Sequence, residues 1–310
     1  MRKAFVKVLN ELCENNDKII LITGDLGFGV FDDFRNKFPK QFLNAGIAEA
    51  NIVGMAAGLA LSGYRVFTYS IAPFLVYRAF EQIRDDLCYQ NLPVTIVGVG
   101  SGLSYGNAGP SHHATEDLAL MVTLPNMTVV APGDPLEVEE AVRKIANIPG
   151  PSYLRLNRSG DKIVHETPLS DFELGKGIRL KSGREVLILS TGNTLDNASL
   201  LTDELELHGV STELISLHTI KPFDRDIVIG AAKDKKMVVT VEEHSPYGGL
   251  SSLVSSLFIQ AGFKAKFLPI TLPDKFVDVS ASQNYLRKLY GLDVDSLFER
   301  IMNELGQWQK

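Results

Sequence analysis

The sequence predicts an α/β protein of two domains, each a mostly parallel sheet covered by helices. Three observations carry this expectation. Strand-like apolar runs alternate with helical patterns through most of the chain. The alternation lapses once, over a polar and turn-rich stretch, and then restarts. A length of 310 residues suits two domains.

The elements follow in order. Lys18-Ile19-Ile20-Leu21-Ile22-Thr23 is a continuous apolar run of strand length, the pattern of a strand buried on both faces. Residues 93–100, 128–131 and 152–156 have the same character, and helical patterns at 47–61, 73–89 and 135–145 lie between them. Ser159-Gly160-Asp161, Pro168 and Ser182-Gly183 then mark a boundary. Beyond it, strands are expected at 185–190, 213–217 and 237–241, and helices at 194–208, 225–232, 249–261 and 293–305. The resulting division is a first domain over 1–165, a linker over 166–184 and a second domain over 185–310.

Composition narrows the functional classes. Hydrophobic residues at 45% and charged residues at 22% are ordinary for a soluble globular chain. A net charge of −6 with dispersed basic residues gives no track for a nucleic-acid backbone. Cys13 and Cys88 lack metal-ligand spacing, and reduced thiols are their simplest account. Met1-Arg2-Lys3-Ala4-Phe5 is not followed by a signal-type apolar core, and no run is long enough to span a bilayer. The expected location is the cytoplasm, with neither nucleic acid nor membrane as a partner.

Glu49 is the residue that most demands an explanation. It stands where a strand runs into a helix, among Ile47, Ile52, Val53 and Met55. A carboxylate in apolar surroundings must be partnered, protonated or functional; the plainer reading is a first-turn acid favoured by the helix dipole. Gly24-Asp25-Leu26-Gly27-Phe28-Gly29 follows a strand but does not match a dinucleotide loop, and there is no Walker lysine motif. The glycines between 98 and 109 run into Pro110 rather than a helix start, so either loop reads equally well as a connection. His112 and His113 are adjacent on a loop, a placement that favours function over core packing. No partner at ligand spacing implies a metal there.

Four ordered motifs give these residues a context. Gly46-Ile47-Ala48-Glu49 resembles the G-I-A-E of the transketolase family's pyrimidine-binding domain. Arg78-Ala79-Phe80-Glu81-Gln82-Ile83-Arg84 is similar to its R-A-F-D-Q-I-R helix, and Gly109-Pro110-Ser111-His112-His113 to its G-P-T-H-Q loop. Leu124-Pro125-Asn126-Met127 and Ala131-Pro132-Gly133-Asp134 follow at the expected distance. The resemblance implies thiamin diphosphate as cofactor and makes Glu49 catalytic: in the family this Glu hydrogen-bonds the pyrimidine ring and shares a proton with it. It also places Asp25 near the cofactor, and puts aromatic residues a little over twenty positions beyond the Glu, here Tyr69, Phe74 and Tyr77. Classical transketolases would instead align Ala72 and Leu75 with the aromatic sites; Phe74 is the first choice. His112 matches the family histidine that contacts substrate, and His113 replaces its Gln. Arg2 and Arg158 match two arginines that bind a sugar phosphate, for which guanidinium forks are suited. A further His and Asp of the classical loop correspond to Gly100 and Ala108, so substrate recognition is altered there. Gly29 replaces a phosphate-contacting Ser. Val241-Glu242-Glu243-His244-Ser245 resembles the family's C-terminal domain, in which His244 is expected to be structural.

The family's metal motif, G-D-G followed by an Asn, does not occur in this chain. The resemblance therefore implies the C-terminal subunit of a split transketolase. Mg2+ or Ca2+ and the diphosphate would be held by a separate N-terminal subunit in a heterotetramer, and sugar phosphates would be the substrates. A 2-oxo acid dehydrogenase β-subunit, a deoxyxylulose-phosphate-synthase-like enzyme and a non-catalytic scaffold subunit are the rival readings.

Overall fold

The computed structural model describes residues 1–308. In the first domain, β1 (Ile19–Thr23), β2 (Phe42–Asn44), β3 (Arg65–Ile71), β4 (Val94–Val99), β5 (Thr128–Val130) and β6 (Ser152–Leu156) run parallel in the order β5-β6-β4-β3-β1-β2. The helices are α1 (Arg2–Asn15), α2 (Asp32–Lys37), α3 (Glu49–Leu61), α4 (Ala72–Arg78), α5 (Phe80–Gln82), α6 (Asp117–Thr123) and α7 (Pro135–Ile145). They cover both faces, so strands such as Ile19-Ile20-Leu21-Ile22-Thr23 are buried throughout. The start of α7 is fixed locally: Asp134 accepts a hydrogen bond from the Glu137 amide at 2.9 Å, and Pro135 takes the first helical position.

The second sheet contains β7 (Ile178–Lys181), β8 (Val186–Ser190) and β9 (Thr212–Ser216). A short β10 (Thr219–Lys221) leaves it, and β11 (Met237–Val241) and β12 (Lys266–Ile270) complete it in the order β12-β11-β8-β9-β7. Its helices are α8 (Leu195–Leu207), α9 (Arg225–Ala232), α10 (Leu250–Ala261), α11 (Gln283–Leu289) and α12 (Val294–Trp308). Among the described residues, no helix is long and apolar enough to cross a membrane.

The sequence expectation does not name β2, β3, β12, α1, α2, α6 or α11, and three further features differ from it. The stretch 73–89 is not one helix: α4 and α5 are separated at Ala79, and a π-helical segment follows at Ile83–Cys88. A π turn is wider than an α turn, and here it sets Leu87 and Cys88 together into the core. The stretch 166–184 is not all linker, because β7 forms the antiparallel edge of the second sheet against β9. Its residues are only half-buried, so it lacks the apolar run that marks the central strands. Lastly, β10 pairs antiparallel with β5 and so adds a seventh strand to the first sheet. A single core cluster accordingly runs from Ile22 and Ile52 to Leu189, Ile215 and Val254.

The loop after β4 is clamped by the second domain. Glu243, fully buried just beyond β11, accepts hydrogen bonds from the Leu103 amide (2.8 Å), the Asn193 side chain (2.8 Å) and Gln283 (3.0 Å), and pairs with Arg287. Gly102 makes the approach possible: it has φ 53°, and a Cβ there would lie 2.3 Å from Glu243 Oε2. Burial disfavours the Glu243 charge, but Arg287 and the amide donors outweigh it and hold the carboxyl below its ordinary range. The far end of the loop is fixed by Arg155, which is buried, bonds both oxygens of Asp117 (2.8 and 3.1 Å) and donates to the Ala114 carbonyl at 2.7 Å. His244 is also buried and links the domains, accepting from the Ala119 amide at 3.4 Å.

Glu243→Gln leaves Arg287 buried beside a neutral amide, and a cost of about 3 kcal/mol in urea unfolding is expected. Because the folded carboxyl titrates below its ordinary value, its contribution is complete above that value and fades as the pH falls through the lowered one. The gap between the wild type and Glu243→Gln therefore narrows from pH 7 to below about 4; a gap that widens in acid contradicts the assignment.

Candidate active site

The C-terminal ends of β1, β2 and β3 converge on the start of α3. Glu49 is that helix's first residue and is only 1% exposed. Its Oε1 accepts from the Ser70 hydroxyl at 3.2 Å and its Oε2 from Arg78 Nη1 at 2.7 Å. Strand alternation puts Ser70 on the α3 side of the sheet, and Arg78 is the last residue of α4. Ile52 and Val53 are buried behind the carboxylate; Ile47, expected beside them, is instead 76% exposed. Asn44 ties the neighbouring turns together. Its side-chain oxygen accepts from the amides of Asp25 and Gly46, both at 3.0 Å, and its nitrogen donates to the Asp25 carboxylate at 2.9 Å. Asp25 is therefore held at the sheet edge beside the start of α3, with its carboxylate exposed.

A series of rings and guanidinium groups leads away from Glu49. Phe74 and Arg78 lie one turn apart on α4, and the guanidinium sits 5.4 Å from the Phe74 ring centroid. The His112 ring meets Phe74 edge-on at 4.9 Å and approaches Tyr105 at 5.9 Å. Arg158 then stands over the Tyr105 ring at 4.7 Å. Burial raises the Tyr105 phenol above its ordinary pKa, opposed by the nearby charges of Arg158 and Arg2. Glu49, Phe74, His112, Arg158 and Arg2 are thus brought into one region.

Three expected site residues lie differently. Tyr69 precedes Ser70 in β3, so its side chain enters the opposite face of the sheet; its ring packs edge-on against Phe31 at 4.7 Å in the core. On that face it is turned away from a ring held by Glu49. Tyr77 is turned toward the 110–116 loop, where its hydroxyl donates to Glu116 at 2.8 Å. His113 is buried, and burial lowers its pKa; with Tyr77 and Phe276 it lines a cavity of about 480 Å³ between the loop and the second domain. Gly100 and Ala108 bracket Tyr105 in the altered loop. Residue pattern alone gives no role to Ser70, Arg78, Asn44 or Tyr105. The available signals are the strand period for Ser70, the helix spacing from Phe74 for Arg78, and the bare glycine at 100 for Tyr105.

Comparison with known proteins agrees with this architecture. Residues 1–160 match the transketolase pyrimidine binding domain, and residues 175–297 match the transketolase C-terminal domain. The chain belongs to the transketolase family. Within it, the chain aligns over nearly its whole length with several members of similar size. A Methanocaldococcus jannaschii chain bearing the provisional name transketolase C-terminal section is 39% identical over 98% of this chain and 96% of its own length. One of the subunits of the apulose-4-phosphate transketolase of Phocaeicola vulgatus is 34% identical, covering 96% and 94%. A split-gene transketolase solved as an inactive beta4 tetramer superposes with a TM-score of 0.89 at 37% identity, covering 97% of both chains.

Proposed function

We propose that this chain is the C-terminal subunit of a cytoplasmic, thiamin-diphosphate-dependent transketolase that moves a two-carbon ketol unit from a phosphorylated ketose to an aldose. The observation that carries this reading is the buried Glu49 carboxylate, set at a helix start and linked through Arg78 to the Phe74 ring, on which His112 packs. The setting suits an aminopyrimidine: a carboxyl group to meet a ring nitrogen, an aromatic face to lie against the ring, and open space beside Gly46, where a Cβ would meet nothing within 4 Å.

When bound, thiamin diphosphate supplies a nucleophilic carbon for the ketose carbonyl and an electron sink for the two-carbon fragment. The chain's own residues do the rest on their side of the site. Glu49 holds the pyrimidine nitrogen and shares a proton with it, a task Gln cannot perform. Arg78 is the solvent-exposed partner of that carboxylate, whereas Ser70 is a buried one. His112 faces the substrate oxygens, and Arg158 with Arg2 receives the phosphate. On this reading the ligands for Mg2+ or Ca2+, and the diphosphate contacts, would belong to a separate N-terminal subunit, in keeping with the lack of a G-D-G motif in this sequence. Two copies of each subunit would form the working assembly.

The purified chain alone is expected to show no ketol transfer, with activity appearing when the N-terminal subunit, thiamin diphosphate and Mg2+ are added; robust turnover by the single chain refutes the two-subunit reading. Glu49→Gln in the reconstituted complex is expected to lower kcat by at least ~10²-fold with unchanged thermal unfolding. Activity within a few-fold of wild type removes Glu49 from proton transfer. Arg158→Ala is expected to raise KM about tenfold or more for phosphorylated sugars only. An equal rise for unphosphorylated sugars argues against a phosphate contact.

A further inference from the structure

Gly100 and Tyr105 exclude any side chain at position 100. Gly100 has φ 101°, and a Cβ built on it would lie 2.3 and 2.4 Å from two carbons of the Tyr105 ring. No real Cβ tolerates that distance, so the ring fills the place where a side chain of residue 100 would project. The ring is not there by accident of a loose loop. Leu103 N–H is fixed on Glu243 at 2.8 Å, Gly106 N–H bonds the Leu103 carbonyl at 2.8 Å, and Ala108 N–H bonds the Tyr105 carbonyl at 2.7 Å. The ring is half-buried, and its neighbours are Arg158 on its face and His112 beside it.

We propose, building on the function above, that Tyr105 is a specificity-determining residue for the phosphorylated sugar. Its ring holds the Arg158 guanidinium, 4.7 Å from the ring centroid, in place for the phosphate, and its hydroxyl provides a hydrogen bond to a sugar oxygen. The chemistry is suited to both tasks. A guanidinium over a tyrosine face is held by the ring quadrupole and keeps its in-plane N–H groups free for phosphate oxygens. Burial raises the phenol's pKa, so at neutral pH the hydroxyl keeps its proton and acts as a donor despite the two arginines. A hydroxyl at the end of a tyrosine ring reaches farther than a shorter side chain on the glycine's own backbone would. The selected sugars are therefore set by the loop residue at 105 and not by residue 100.

The test uses the reconstituted complex, with inorganic phosphate, fructose and fructose 6-phosphate titrated calorimetrically and the same sugar phosphate used as donor in kinetics. Tyr105→Phe keeps the ring and its volume. It is expected to bind inorganic phosphate as the wild type does, to bind fructose 6-phosphate about fivefold more weakly, and to raise KM more than it lowers kcat. Tyr105→Leu removes the ring and is expected to weaken inorganic phosphate about fivefold as well. Combined with Arg158→Ala, it adds no further loss, because both changes remove the same contact. Thermal unfolding of both variants controls for folding. Phosphate and sugar-phosphate affinities unchanged in both variants, or losses that simply add to that of Arg158→Ala, overturn the proposal. A wild-type complex that binds fructose 6-phosphate through Tyr105 yet transfers no ketol unit refutes the proposed activity and leaves Tyr105 in place. Active transfer with indifferent Tyr105 variants refutes only the role of Tyr105.

Discussion

The buried Glu243 carboxylate is the constraint on which the site depends. It belongs to the second domain, yet it fixes the backbone of the loop that carries Tyr105 and leads to His112. A charge with no exposure persists only because Arg287, Asn193, Gln283 and a backbone amide satisfy it together. On the other side of the loop, Arg155 and Asp117 form a second buried pair. Between these two anchors the chain has little freedom, and the histidine and tyrosine inherit their positions from charges several residues away. The second domain thus helps to set the shape of this loop.

Much of the fold was legible because it is written in apolar runs. Central strands such as β1, β4, β6, β8 and β11 are buried on every residue, and their sequences show it. The elements passed over include some without that signal, but also β3, which is buried on six of its seven residues. The β7 edge strand is half-buried, and β10 is three residues long; the π segment after α5 reads as ordinary helix because one turn's widening leaves no mark in residue type. In the site, single residues with a distinct chemistry stood out, as Glu49 and His112 did. Tyr69 misled because counting along a strand does not say which face a residue takes; the hydroxyl of Ser70, one position later, is the group on the Glu49 side. Tyr105 was invisible for a different reason, since its importance lies in the space it takes from Gly100.

The chemistry of the region is graded along its length. At one end stands a carboxylate that is almost wholly buried, and at the other two guanidinium groups attend a phenol. The Phe74 and His112 rings, packed edge-on at 4.9 Å, lie between the two ends. Charge separation of this kind orients a substrate before any bond is changed.

The pairing of β10 with β5 has a consequence for how the chain can be cut. Its edge hydrogen bonds with β5 are made by residues that lie some ninety positions further along. A fragment ending at the domain boundary would expose the open side of β5, with its row of unpaired amides and carbonyls, as a template for pairing between molecules. It would also bare the part of the core cluster that Leu189 and Ile215 now cover. The first sheet is thereby completed only when the second domain is present.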